Sequence, residues 1–249
     1  KVRNVEIGTG KPKIIVPIVA KTKEEIAEQA KKLNDIPCDV VEWRVDWYDD
    51  VFDTEKVIET LKMLRGILGE MPILMTFRTS KEGGEKAIDP KDYAALNIAA
   101  ARSGYADLID VEIFTGDEIV SEIIEGAHKA GAKVVASNHD FFKTPDKDDI
   151  VSRLTKMQNM GADIPKIAVM PTCEKDVLTL LDATQEMANN VADRPIITMS
   201  MASKGMISRL CGEVFGSSMT FGAAGKASAP GQMGVEDLDI ILTKLHSAL

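Results

Sequence analysis

Short apolar runs rich in β-branched residues recur along this chain at nearly constant spacing, and that regularity restricts the fold more than any other feature. They occupy residues 13–20, 40–46, 72–78, 108–114, 133–139, 164–170, 195–201 and 219–223. Runs of this length, bounded by Gly, Pro and polar clusters, read as buried strands. Eight of them in 249 residues lie about 31 residues apart, the repeat of a (β/α)8 TIM barrel. The intervening stretches are helical in pattern. Val57, Ile58, Leu61, Leu64 and Leu68 recur at helical spacing, as do Ile150, Leu154 and Met157. Thr22 with Glu25 forms a capping-box pattern, Asp89-Pro90 marks another start, and Gly69, Gly104, Gly131 and Gly161 fall just past helix ends. No linker or low-complexity segment interrupts the series, so residues 1–249 read as one α/β domain.

The first nine residues precede the first strand and are expected to form a hairpin closing the barrel floor. Residues 223–234 follow the last strand and belong over the C-terminal mouth, where active sites of this fold sit. Gly225 and Gly231 flank small residues there, which suits a closing lid; an inert surface loop is the alternative.

Composition narrows the function. A net charge of −9 argues against nonspecific nucleic-acid binding and against an anionic membrane surface. There is no signal-peptide pattern and no apolar run of about 18 residues. The first residue is Lys1, not Met, which leaves room for residues ahead of it. The cysteines Cys38, Cys173 and Cys211 are odd in number and lack zinc spacing, so a reducing, cytoplasmic setting is expected.

Alternate residues of a barrel strand point into the lumen, where apolar side chains are the rule. Several runs break that rule at one parity. Glu42, Arg44 and Asp46 do so in the second, Arg78 in the third, Asp110 and Glu112 in the fourth, His139 in the fifth and Lys166 in the sixth, with Met199 and Met201 in the seventh. Such a set encloses a polar ligand or forms a structural ion-pair network. Lys166 sits in the apolar run Ile164-Pro165-Lys166-Ile167-Ala168-Val169-Met170. Burial would drive its ammonium to lose a proton and make it a nucleophile toward carbonyl carbon. A solvated rung or a carboxylate partner would equally account for it.

His139 is the only histidine at a strand end; His128 and His246 lie in helical stretches. One histidine cannot build a His-based zinc site, though Mg²⁺ on Asp110 and Glu112 stays open from the residues alone. A lone histidine suits proton transfer. The phosphate-loop, dinucleotide-binding and nucleophile-elbow patterns are all missing.

The strings EWRVD (42–46), TFRTSKEGGE (76–85), SNHDFFKTP (137–145), GADIPKIAVMP (161–171), RPIITMSM (194–201), ISRLCGEVFGS (207–217) and SAPGQ (228–232) together resemble type I 3-dehydroquinate dehydratase, the Schiff-base lyase of the shikimate pathway to chorismate and the aromatic amino acids. The resemblance runs from about Pro12 to the last helix. It implies that Lys166 forms the imine, that His139 is the catalytic histidine and that Glu82 orients it. Substrate contacts would come from Glu42, Arg44, Arg78, Arg209, Ser228 and Gln232, with Met199 and Met201 lining the pocket. It further implies dehydration of 3-dehydroquinate to 3-dehydroshikimate by syn elimination, without metal or organic cofactor, in a homodimer. The family often has Ser where Ala202 stands and Gln near Thr172-Cys173, and neither position is catalytic. Within enzymes the alternative is a class I aldolase acting on a small sugar or keto acid. A barrel that had lost catalysis would lack Lys166, His139 or Glu82, and all three are present.

Overall fold

The computed structural model describes residues 1–225 and 231–249. Residues 226–230 lie outside them, and with them the expected contact Ser228 and the centre of the expected closing loop. All eight expected strands form: β1 (Lys13–Ile18), β2 (Val40–Arg44), β3 (Ile73–Thr76), β4 (Leu108–Glu112), β5 (Lys133–Asp140), β6 (Ile164–Val169), β7 (Ile197–Ser200) and β8 (Met219–Ala223). They pair in parallel in the order β7-β6-β5-β4-β3-β2-β1-β8. An isolated parallel bridge between Ile196 and Ser217 joins the two outer strands and closes the barrel. A ninth, two-residue strand, β9 (Met233–Gly234), pairs in parallel beside the end of β8, Met233 against Gly222 and Gly234 against Ala223.

β2 and β4 end short of their expected bounds because the chain winds at once into single tight turns at Val45–Trp47 and Ile113–Thr115, and a third such turn, Ser80–Glu82, follows shortly after β3. These turns place polar residues at the rim. The helices α1 (Lys23–Leu33), α2 (Thr54–Leu68), α3 (Pro90–Arg102), α4 (Asp117–Lys129), α5 (Lys147–Asn159) and α6 (Glu174–Glu186) follow the first six strands. Between β7 and β8 two short helices stand in place of one, α7 (Met206–Leu210) and α8 (Gly212–Phe215); α9 (Val235–His246) follows β9.

The start signals are realised. Thr22 and Glu25 cap α1 reciprocally, and Asp89 accepts from Lys91 N ahead of α3. Asp53 caps α2, whose buried face of Val57, Leu61, Leu64 and Leu68 repeats every three to four residues against the sheet. Truncating one such leucine to alanine costs about 2–5 kcal/mol.

Strand parity divides the interior in two. Outward residues such as Val41, Trp43, Ile109, Val111 and Ile167 pack beneath the helices. Inward residues Ile15, Val40, Leu74, Leu108, Val135 and Ile164 fill the lower lumen together with Val2 and Ile7. Val2 and Val5 exchange two 2.9 Å backbone hydrogen bonds, so the N-terminal hairpin closes the floor as expected.

Candidate active site

Two residues above this apolar layer, the same parity brings Glu42, Thr76, Asp110, Ser137, Lys166, Met199 and Phe221 into the lumen, all buried. The next step up reaches Arg44, Arg78, Glu112, His139, Ala168 and Met201. Apolar packing fixes the register below, and the polar set is carried on it at the C-terminal mouth.

Lys166 is 3 % exposed. Its Nζ lies 3.5 Å from Asp110 Oδ2 and 4.7 Å from the centre of the Phe221 ring. Burial holds the amine below the ordinary lysine range, with Arg78 and Arg44 adding to the effect; Asp110 and Glu42 pull the other way. Both readings of Lys166 therefore meet in one residue, for it is buried and it has a carboxylate neighbour.

His139 is held from beneath. Glu82 Oε2 accepts from the His139 backbone N at 2.9 Å and faces its Nδ1 at 3.0 Å. Burial, then Arg78, Lys166 and Arg44, push the imidazole well below its usual range, so it is a neutral base. An ionised Glu82 can only accept, so Nδ1 carries the hydrogen and Nε2 keeps its lone pair. Burial raises Glu82 to about 7, helped by Glu112 and opposed by Arg78, by the Asn138 side chain and by the His139 amide.

Arg78 is the central cation. It donates to Asp110 Oδ1 at 2.8 Å, and to Glu112 Oε1 and Ser137 Oγ at 3.0 Å. Burial works against its charge, but Asp110, Glu112 and Glu82 outweigh that and keep it protonated. The two carboxylates considered for Mg²⁺ are thus turned onto a guanidinium. Among the described residues no group of three or more His, Cys, Asp or Glu side chains is placed to hold a metal ion. Arg44 is fixed by both oxygens of Asp46 at 2.8 Å, and Glu42 accepts from Thr76 Oγ1 at 2.9 Å.

These groups surround a cavity of about 130 Å³. Of the expected residues, Glu42, Arg44, Arg78, Glu82, His139, Lys166, Met199, Met201, Arg209 and Gln232 all line it. Arg209, on α7, is 3 % exposed, and burial lowers its guanidinium to about 10. The helix is anchored over β7 by Ser208 Oγ, which accepts from Ser200 N at 2.9 Å. Four lining residues lay beyond the sequence reading: Gly83, Phe141, Ala168 and Phe221. Phe221 could have been found from its inward parity, two residues after Met219. Phe141 lies beyond β5, and its stacking on His139, with ring centres 6.4 Å apart, had no sequence signal.

A (β/α)8 barrel with a deprotonation-prone amine, a neutral imidazole and buried cations at its C-terminal mouth defines a class of protein: an enzyme acting on carbonyl carbon in a small anionic substrate. A family model described as type I 3-dehydroquinase matches residues 14–248, and the chain belongs to that family. It is 56 % identical to the 3-dehydroquinate dehydratase of Clostridium botulinum, covering 99 % of this chain and 97 % of the relative. The type I 3-dehydroquinate dehydratase of Clostridium difficile, solved with covalently modified comenic acid, superposes with a TM-score of 0.98 at 53 % identity, covering 100 % of this chain and 98 % of that one. The Enterococcus faecalis 3-dehydroquinate dehydratase gives 0.92 at 46 %, covering 98 % of each chain. Family membership decides against the aldolase alternative.

Proposed function

We infer that the chain dehydrates 3-dehydroquinate to 3-dehydroshikimate through an imine on Lys166. The observation that carries this reading is a buried, deprotonation-prone amine sharing one cavity with the neutral His139 and its carboxylate support. Lys166 adds to the ketone carbon, and the carbinolamine loses water to become an iminium. The iminium withdraws electrons and acidifies the adjacent C–H. His139 Nε2 takes that proton, the C–C double bond forms, and the C–O bond breaks. The departing hydroxyl leaves as water with the proton His139 has just collected, on the same face of the ring. Water then hydrolyses the imine and frees the amine.

Arg209 suits the substrate carboxylate, since a buried cation gains most from an arriving anion. Glu42, Arg44 and Arg78 suit its hydroxyls, and Met199 and Met201 its ring. Ser228 and Gln232 are proposed to complete the contacts. Every step uses the chain's own side chains, so we propose that no metal or organic cofactor takes part. We further propose one domain over residues 1–249, a homodimer, and a cytoplasmic setting. No helix among the described residues is long and apolar enough to cross a membrane.

Borohydride reduction in the presence of substrate tests the central step. The expected result is a ligand mass on Lys166, none in Lys166→Met, and turnover that survives chelator treatment. An adduct on another residue, or on none, overturns it.

A further inference from the structure

Arg153 lies on α5, outside the substrate cavity, yet a single residue connects it to the His139–Glu82 pair. Its Nη1 donates to Asn138 Oδ1 at 3.0 Å, and Asn138 Nδ2 donates to Glu82 Oε1 at 3.2 Å. Glu82 Oε2 in turn meets both the backbone N and the ring Nδ1 of His139. The guanidinium is itself fixed. Its Nε and Nη2 grip Asp149 at 3.0 and 2.7 Å, Asp140 lies 3.6 Å away, and the Phe114 ring centre is 5.8 Å from Cζ.

A carboxamide has two ends of opposite polarity and can turn over. With Oδ1 toward Glu82, two acceptors would face each other unless the carboxyl kept a proton. A guanidinium only donates. Arg153 therefore holds Oδ1 to itself and turns the NH₂ to Glu82, where it favours the ionised form. Asn138 is buried, so no bulk water competes for that contact.

We propose that Arg153 and Asn138 are positioning residues that keep Glu82 an ionised acceptor beneath His139, and so set the lower pH limit at which the imidazole works as a base. The inference rests on the roles assigned above to His139 and Glu82.

The other groups facing Glu82 are Arg78, two residues past β3 and 3.8 Å away, Glu112 on β4, and His139 on β5. Arg44 from β2 and Lys166 from β6 bear on the imidazole. Arg78 favours the ionised carboxyl and Glu112 opposes it. Among the described residues, neither hydrogen-bonds to Asn138 or Arg153, so the amide can be altered with that balance left in place. Glu82 titrates near 7, so losing one donor moves it within the range of an ordinary assay.

The test is kcat and kcat/KM against pH for the full chain and for Arg153→Met, Asn138→Leu, the double variant and Glu82→Gln. In Arg153→Met and in Asn138→Leu the acidic limb of kcat/KM should move up by about 0.5–1 unit, a three- to tenfold loss near pH 6 against about twofold or less near pH 8.5. The double variant should move it no further. Arg153→Lys keeps a donor and should restore most of the limb. If Arg153→Met does not fold, Asn138→Leu and Arg153→Lys carry the test. A limb that stays put, or a loss equal at every pH, overturns the inference. Glu82→Gln separates the two levels: a limb that persists there sinks the assigned role of Glu82. A limb abolished there but unmoved in the other variants sinks only the positioning roles.

Discussion

Lys166 Nζ stands 3.5 Å from Asp110 Oδ2, an oxygen that accepts no hydrogen bond from any described residue. The other oxygen, Oδ1, accepts from Arg78 Nη2 at 2.8 Å and Ser137 Oγ at 2.7 Å. The carboxylate is thus anchored by one oxygen and offers the second to the reactive nitrogen. That nitrogen is positive in the free ammonium and again in the iminium, so Asp110 resists deprotonation at the start and stabilises charge after condensation.

Asp110→Asn separates these effects. Removing the anion leaves burial, Arg78 and Arg44 acting on Lys166 with less opposition, so its pKa falls further. The amine is then neutral over a wider range, and the pH midpoint for borohydride trapping of a small keto acid should drop by about one unit or more. Turnover should fall about 10²-fold for want of charge stabilisation at the iminium. A midpoint that rises or stays fixed removes Asp110 from this role.

The lumen was legible in the sequence because strand parity and the barrel repeat are both periodic. Once β2 through β6 are placed, Glu42, Asp110, His139 and Lys166 must face inward. The pairing of those charges was not legible. Arg78 was expected only as a substrate contact, and the folded chain shows that its guanidinium, while lining the cavity, also holds Asp110, Glu112 and Ser137. Glu82 and Arg209 lie off the strands, on a single tight turn and on the short helix α7. No periodicity predicts where such segments point, and the family motif supplied both residues. Phe141 and the link from Arg153 through Asn138 depend on contacts between loops and α5, for which spacing carries no signal.

Glu82 also gives a stability prediction. Its folded pKa of about 7 lies above the usual 4.5, so between those values the folded chain keeps a proton the unfolded chain has lost. Stability is full below the lower value and declines as pH rises through the upper one, by at most about 3 kcal/mol. Glu82→Gln escapes that decline, so its advantage over the parent should grow from pH 4.5 to 8 while turnover collapses. Urea unfolding at the two ends of that range measures it; an advantage that shrinks with pH contradicts the burial of a charge here.

Arg209 makes a prediction about binding. A planar fork meets a carboxylate with two parallel hydrogen bonds, and a lysine ammonium offers a single point of charge. Arg209→Lys should therefore raise KM about tenfold or more, with a smaller change in kcat. If kcat falls and KM holds, the guanidinium acts on the reacting centre instead of on the carboxylate.

The loop that carries Glu82 turns back on itself so closely that a Cβ at Gly84 would lie 1.8 Å from the Arg78 carbonyl oxygen. Gly84 N also donates to Thr79 O at 2.8 Å, which ties the loop shut. Neither backbone can give way alone, because Arg78 is held by its carboxylates. Gly84→Ala must then displace the turn, at a cost of about 1–3 kcal/mol from overpacking. Glu82, two residues before, moves with it, and a shift on the order of 1 Å in a catalytic support loses about 10²-fold in rate. Gly66→Ala is the matched control. It lies inside α2 with nothing within 4 Å of the new Cβ, so it should gain up to about 1 kcal/mol with turnover unchanged. Thermal melts and kcat for the two variants decide the matter: full turnover in Gly84→Ala would mean that the placement of Glu82 does not depend on this turn.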